Sequence, residues 1–461
     1  MGRAFGRKRI NMSFEGRPPS STNRGLRTEG DSGLRHGVLA TFRGALAVLT
    51  FSLCACHPAH TQEPKEPYKT PISAHLPVVL GEFRIVAVGD VMMHADVKQS
   101  AEDVEGGFPA LWADVAPLFK GADLAFANLE SPVAPKTGRP GRPFQFNSPE
   151  SLPAALRSSG LTVLSTANNH AFDQGSKGVK ETLERLHAEK LLTLGSGETQ
   201  AQAEQVQVFE RNGVKVALLG FTDLFNLDLN RKAEQPWVRQ MDLESAIQAV
   251  KEARKGADAV LVSVHWGDEY SHTPTQRHRR MAAALVGAGA DLVLGHHPHT
   301  LQPMELVEAG GRTGLVAYSL GNFISNQDRM YRADLFPVAA GDSRDGVALQ
   351  ATIAKVRKPD GSIGVILGDV AYEPLWVENN WRDIRTGKTK KREIRVIRVR
   401  AALDATRREL DRLTDPEEGP KALPDEKARK VAILEQQERL RTLLLRKGRI
   451  AGVVGAGFEA R

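Results

Sequence analysis

Seven short apolar runs punctuate the middle of this 461-residue chain, and most are ended by glycine or by a cluster of polar side chains. They are FRIVAVG (83–89), LAFAN (124–128), LTVLST (161–166), KVALLGF (215–221), AVLVSVHW (259–266), DLVLG (291–295) and GLVAYSLG (314–321). Runs of this length and apolarity predict strands. Between them PALWADVAPLF (109–119), KGVKETLERLHAEK (177–190), LESAIQAVKEARK (243–255) and QRHRRMAAALVGA (276–288) repeat apolar positions at helical spacing. The alternation predicts an α/β layered domain. Further on, VALQATIAKV (347–356), SIGVILGDVAY (362–372) and REIRVIRVR (392–400) read as antiparallel strands that finish a sheet.

The last segment changes character. LDATRRELDRL (403–413) and EKARKVAILEQQERLRTLLLRK (426–447) have helical spacing and high charge, and TDPEEGPKALPD separates them. The expectation is two appended helices with a solvated basic face. Four parts follow: a leader at 1–56, a tether at 57–80, the main domain at 81–381, and a terminal strand with a basic helical extension at 382–461.

Charge sharpens this division. The chain carries a formal net charge of +7, but residues 1–55 hold 9 Lys/Arg against 3 Asp/Glu and residues 382–461 hold 22 against 13, which leaves 31 against 39 in the middle. The central domain is therefore acidic, and the basic character belongs to the ends. The tail lacks the interleaved aromatics of a nucleic-acid surface, so no nucleic-acid partner is expected.

The leader reads as a targeting signal. Arg35 and Arg43 precede ALAVLTFSL (45–53), long enough for the apolar core of a signal peptide and too short to span a bilayer. The only cysteines, Cys54 and Cys56, follow at once in LCAC, which resembles a bacterial lipobox with Cys56 as the lipidated residue. An ordinary secretory signal cleaved nearby is the alternative. The expectation is an exported lipoprotein anchored to a membrane and facing periplasm or exterior. HPAHTQEPKEPYKTPISAHLP (57–77) then suits a tether.

Five polar clusters fall immediately after predicted strands. They supply Asp90 and His94, Asn128 and Glu130, Asn168 to His170 with Asp173, His265, and finally His296, His297 and His299. In open α/β sheets, ligand sites form at the carboxyl ends of strands. Two carboxylates, a carboxamide and several imidazoles make the ligand set of a divalent transition-metal site. His297 and His299, one residue apart in an extended segment, would point the same way. Singly, each histidine is more often a hydrogen-bonded polar group than a ligand. His272 and His278, near the start of a charged helix, read as exposed.

The motifs GDVM, NLE, NNHAFDQG, HWG, GHHPHTLQP and SLGNF, in that order over about residues 83–377, resemble the CapA-type proteins of bacterial poly-γ-glutamate capsule synthesis. That family is similar in fold to the calcineurin-like metallophosphoesterases. The resemblance implies a two-layer β-sandwich flanked by helices, with one or two divalent ions, manganese, zinc or iron, on its rim. By position it implies Asp90, Glu130, Asn169, His265, His297 and His299 as metal ligands, with His170 beside the reacting group. Asp173 would orient His170, or else cap the helix that follows. Asn322 of SLGNF lines the site or makes a turn. His94, Asn128 and His296 are weaker candidates, and Met92 stands where the family's first motif usually has a histidine. The implied function is capsule or cell-envelope polymer synthesis with a hydrolase-type site acting on an anionic polymer or phosphoester. The alternative is an assembly or transport factor that grips anionic polymer through the metal, and further capsule-synthesis subunits are possible partners.

Overall fold

The computed structural model describes residues 76–460. The leader, Cys56 and nearly all of the expected tether lie outside the described residues. Among those described, no helix is long and apolar enough to cross a membrane.

Among the described residues, fourteen strands build two large sheets. In chain order they are β1 (Val78–Val91), β2 (Leu124–Leu129), β3 (Val163–Ser165), β4 (Leu192–Leu194), β5 (Gln207–Arg211), β6 (Val214–Thr222), β7 (Ala259–His265), β8 (Leu292–His296), β9 (Met304–Ala309), β10 (Arg312–Ala317), β11 (Asn322–Ile324), β12 (Asp345–Arg357), β13 (Ile363–Asn379) and β14 (Ile394–Arg398). The first sheet runs β14-β13-β12-β1-β2-β3-β4, with β11 also pairing β1, and the second runs β9-β10-β8-β7-β6-β5. Strands β1 to β4 are mutually parallel, as are β6, β7, β8 and β10, while β12, β13 and β14 extend the first sheet antiparallel.

The sheets pack face to face. Phe83, Ile85, Leu124 and Phe126 of the first share one core with Val216, Leu218, Leu261 and Leu292 of the second. Outside the first sheet lie the helices between β1 and β3, through Trp112, Phe119 and Leu156. Outside the second lie Leu243–Gly256 and Gln276–Ala288, through Val250, Met281 and Leu285. This is the α/β layering expected from the sequence, in the helix-flanked two-sheet sandwich that the family resemblance implied. Strand continuity explains why: apolar side chains that alternate between the faces of β1, β2, β6, β7 and β8 fill the central core on one side and a helix interface on the other.

Local differences have physical reasons. The expected helix 109–119 is two short ones, Phe108–Leu111 and Ala116–Lys120, because Pro117 cannot continue the first and instead opens the second. Strand β1 begins at Val78, inside the expected tether. The predicted strand 314–321 ends at Ala317, and residues 322–324 form the separate β11.

The C-terminal segment is helical, with Val399–Thr414 and Glu426–Val454 as its long members. It is not a merely solvated extension. Val399, Leu403, Leu443, Ile450 and Val454 belong to the central apolar cluster. Arg446 is fully buried and holds Asp342 at 2.7 Å and Asp345 in a closer contact, while Arg449 reaches Asp342 at 2.7 Å.

Candidate metal centre

The carboxyl ends of the parallel strands of both sheets meet at one rim. Asp90 is the penultimate residue of β1, His265 and His296 end β7 and β8, and Glu130 follows β2 directly. Two glycines permit the approach. A Cβ on Gly89 would collide with the Gly321 carbonyl oxygen, and one on Gly295 with that of Tyr318. Side chains there would push the ligand-bearing strands away from their neighbours.

Asp90 is fully buried, accepting from Asn128 Nδ2 at 2.8 Å and from the His297 N–H at 3.3 Å. His296 Nδ1 lies 3.4 Å and His299 Nδ1 3.3 Å from its carboxylate oxygens. Burial opposes ionisation, but those two imidazoles outweigh it and hold Asp90 well below the ordinary carboxylate range. Glu130 is as deeply buried, and burial, reinforced by Asp90, pushes its carboxyl well above the usual value. Its Oε1 has no hydrogen-bond partner among the described residues, yet stands 3.5 Å from His265 Nε2 and 3.8 Å from His299 Nε2.

Two of the imidazoles are held toward the neutral form. Burial, then the neighbouring His297, lowers His265 well below its ordinary value, and burial with the His299 ring pulls His297 down to about 4. Neutral imidazole is the form that binds a metal. Ligand atoms of Glu130, His297 and His299 lie within 4.8 Å of one another, and so do those of Asp90, Glu130 and His265. Glu130 belongs to both groups.

The sequence-predicted residues converge, with one reason corrected. His297 and His299 are not in an extended segment: strand β8 stops at His296, and the two have φ of 98° and 56°. Their ring centroids are nevertheless 5.9 Å apart. Such backbone costs on the order of 1–3 kcal/mol per residue, a cost that persists only where the surroundings impose it. Asn169 Oδ1 lies 2.9 Å from His265 Nε2. Asn322 sits in β11 beside Asp90 rather than in a turn, with Oδ1 3.2 Å from His299 Nδ1. His296 lies beneath, packed on Phe126, with neither ring nitrogen in a close hydrogen bond among the described residues.

Asp173 accepts at 2.8 Å from His170 Nδ1, while Gln174 is the N-cap residue of the helix Gly175–Ala188. The capping alternative is therefore not what the fold uses. His94 stands apart from both ligand groups, its Nδ1 accepting from the Asn326 N–H at 3.3 Å. Met92 is buried.

Two neighbours escaped the sequence reading, and two histidines were misplaced by it. Phe146 lies between His94 and His170, at 5.1 and 4.7 Å between ring centroids. Asn226 Oδ1 accepts from Asn169 Nδ2 at 3.3 Å, which leaves Asn169 Oδ1 turned to His265. It follows β6, so the strand-end rule would have found it. No comparable signal marks Phe146. His272 and His278, expected to be exposed, are half-buried and buried: His272 bonds Asp342 at 2.7 Å and the Leu301 carbonyl at 2.7 Å, and His278 bonds Thr275 Oγ1 at 2.8 Å.

A helix-flanked α/β sandwich thus gathers buried carboxylates, carboxamides and imidazoles on one rim, as groups that could hold a metal ion. The sequence profile described as "Bacterial capsule synthesis protein PGA_cap" matches residues 84–327, and the chain belongs to that family. It is 35% identical over 243 residues to "PGA biosynthesis protein CapA" of Bacillus subtilis (strain 168), covering 52% of this chain and 62% of that one. To "Capsule biosynthesis protein CapA" of Bacillus anthracis it is 36% identical over 254 residues, 53% of this chain and 60% of the relative. The chain thus spans less than two thirds of the length of these relatives. Among solved structures it is similar to the NAD nucleotidase of Haemophilus influenzae, with a TM-score of 0.37 and 14% identity, covering 63% of this chain and 56% of that one. For a 5'-nucleotidase precursor of Thermus thermophilus the TM-score is 0.36 with 14% identity, covering 79% and 60%. Both likenesses are too distant to carry an argument about chemistry.

Proposed function

We propose that the rim binds divalent metal and performs hydrolase-type chemistry on an anionic polymer of the cell envelope, in capsule synthesis. The observation that carries this reading is Glu130: a buried carboxylate oxygen without a donor among the described residues, faced by the His265 and His299 rings, the former held well below its ordinary pKa. A charge left so is costly unless a cation completes it. The donor set fits one. Asp90, Glu130, Asn169, His265, His297 and His299 would hold it, and it would supply Lewis-acid polarisation of phosphate or carboxylate oxygens.

The chain's own groups do the rest. Asp173 holds His170 by Nδ1, which leaves Nε2 as the nitrogen able to give or take a proton. Phe146 packs on that ring and limits water on one side. Asn128 bridges the two carboxylates, with Nδ2 2.8 Å from Asp90 Oδ1 and 3.4 Å from Glu130 Oε2.

The relatives' printed names favour a second reading, in which the same site grips polymer carboxylates during assembly without turnover. One assay separates the two. Full-length protein loaded with manganese or zinc is tested on an aryl phosphate and on a γ-linked glutamate oligomer, beside a His297→Ala/His299→Ala variant. Metal-dependent turnover lost in the variant supports the hydrolase, whereas metal binding without turnover on either compound refutes it in favour of assembly. Export is part of the proposal, supported by the apolar run 45–53 and LCAC. Mass spectrometry of membrane-extracted protein should find Cys56 acylated at the mature N-terminus, and an unmodified cleaved terminus elsewhere would refute lipidation.

A further inference from the structure

A cleft of about 910 Å³ opens between the long helix Glu426–Val454, the strand β13 and the short helix Trp381–Arg385. It lies almost wholly beyond the segment that the capsule family's profile matches. Eight arginines and lysines line it against five carboxylates.

Most of these cations are already committed. Arg439 is held by Glu378 at 2.9 and 3.1 Å, and Lys388 lies between Asp383 at 3.7 Å and Glu435 at 3.4 Å. Two are not. Arg344 is 6% exposed and bonds only the carbonyls of Val377 and Tyr331, at 2.7 and 3.5 Å, with no carboxylate within 4.0 Å among the described residues. Burial lowers its pKa to about 10, so it stays charged at neutral pH. Arg385 likewise has no carboxylate partner among the described residues.

Both free guanidiniums lie over tryptophan faces. Arg344 Cζ is 4.2 Å from the Trp376 ring centroid and Arg385 Cζ 5.1 Å from that of Trp381. Stacking fixes the plane of each fork while leaving in-plane N–H donors for a carboxylate or phosphate. A buried guanidinium without a counter-ion, lining an open cleft, is otherwise expensive.

The cleft also leads toward the rim. A second cavity of about 430 Å³ shares Arg329, Met330, Tyr331 and Phe336 with it and adds Asn326. Asn326 donates its N–H to His94 at the edge of the metal centre.

We propose that this cleft is a binding groove for an extended acidic chain, which Arg344 and Arg385 hold by its anionic groups so that it can run past Arg329 and Asn326 toward the rim. Its ligand is a polycarboxylate. That choice over a polyphosphate rests on the polymer reading given above, whereas the anion binding rests on the cleft alone.

The test uses the full chain in EDTA, so that the metal centre takes no part, and measures fluorescence anisotropy with a labelled γ-linked glutamate oligomer. Arg385→Gln, a change at an exposed position, and Arg344→Lys, which keeps the charge but loses the fork, should each weaken binding about ten-fold. Lys251→Gln, at an exposed lysine that does not line the cleft, should leave it unchanged, and because EDTA removes the metal a failure of the hydrolase reading would not touch this result. If Arg344→Lys fails to fold by circular dichroism, Arg385→Gln decides alone. The proposal is overturned if the wild type does not bind, if the folded arginine variants bind as wild type, or if Lys251→Gln weakens binding as much as they do. Tighter binding of a polyphosphate of equal charge overturns the polycarboxylate assignment.

Discussion

Glu130→Gln should affect metal-free and metal-loaded protein in opposite senses. In the metal-free protein, Glu130 is fully buried, its Oε1 has no donor, and burial with Asp90 raises its pKa well above the usual range. Glutamine has nearly the same shape and cannot ionise, so it removes an ionisable carboxyl whose charged form burial and Asp90 disfavour. A buried unsatisfied group costs about 1–3 kcal/mol, so the substitution should leave metal-free stability unchanged or raise it by up to that amount. At roughly 1 °C per kcal/mol for a domain of this size, the melting temperature should rise by 0 to about 4 °C. With metal the sign reverses. Ligand at a hundred times its Kd stabilises wild type by about 2.7 kcal/mol, and losing a carboxylate common to both ligand groups should remove most of that gain. The assay is differential scanning fluorimetry, with EDTA and with a manganese or zinc titration. A metal-free melting temperature well below wild type, or an undiminished metal-induced rise, would refute the reasoning.

Three further outcomes are expected. Asp173→Asn replaces the carboxylate 2.8 Å from His170 Nδ1 by a neutral carboxamide, so turnover should fall by about a hundred-fold while metal content by mass spectrometry stays at the wild-type level; unchanged turnover would exclude the pairing from the reaction. Arg446→Met strands the buried Asp342 and Asp345, which should cost about 3–5 kcal/mol in urea unfolding; adding Asp345→Asn should recover part of it, and a neutral single variant would contradict the account of the tail. His272 is raised above its usual 6.5 mainly by its bond to Asp342, so its folded pKa exceeds the unfolded one. Its contribution to stability is present in full below about pH 6.5 and fades as pH rises through the higher folded value. Melting curves taken from about pH 6 to 9 should therefore flatten in His272→Gln, and an unaltered slope would show that the pair does not titrate as described.

What the sequence disclosed, and what it hid, follows from the range of the interactions. Asp90, Glu130, His265 and the 296–299 cluster were legible because parallel strands carry their functional groups at their carboxyl ends, and near-continuous apolar runs mark where such strands stop. Even so, His297 and His299 converge through two positive-φ residues rather than through the two-residue repeat of a strand. A turn imposed by contacts from β1 and β11 leaves no periodic trace. The tail misled for the same reason. Arg446 has the spacing of a solvated helical cation, and only a partner a hundred residues away in sequence, Asp345, shows that it is buried. His272 finds Asp342 across a comparable separation. Charge pairs of such range, like the cleft around Arg344, belong to the tertiary structure alone.

The central claim is that residues from both sheets capture a cation together. X-ray absorption at the metal edge of purified full-length protein, with metal content measured on the same sample, tests it most directly. The account predicts one or two divalent ions per chain in a shell of imidazole nitrogens and carboxylate oxygens, lost when His297 and His299 are both alanine. A wild-type protein that retains no manganese, zinc or iron after loading, or a histidine variant that retains as much as wild type, would contradict it.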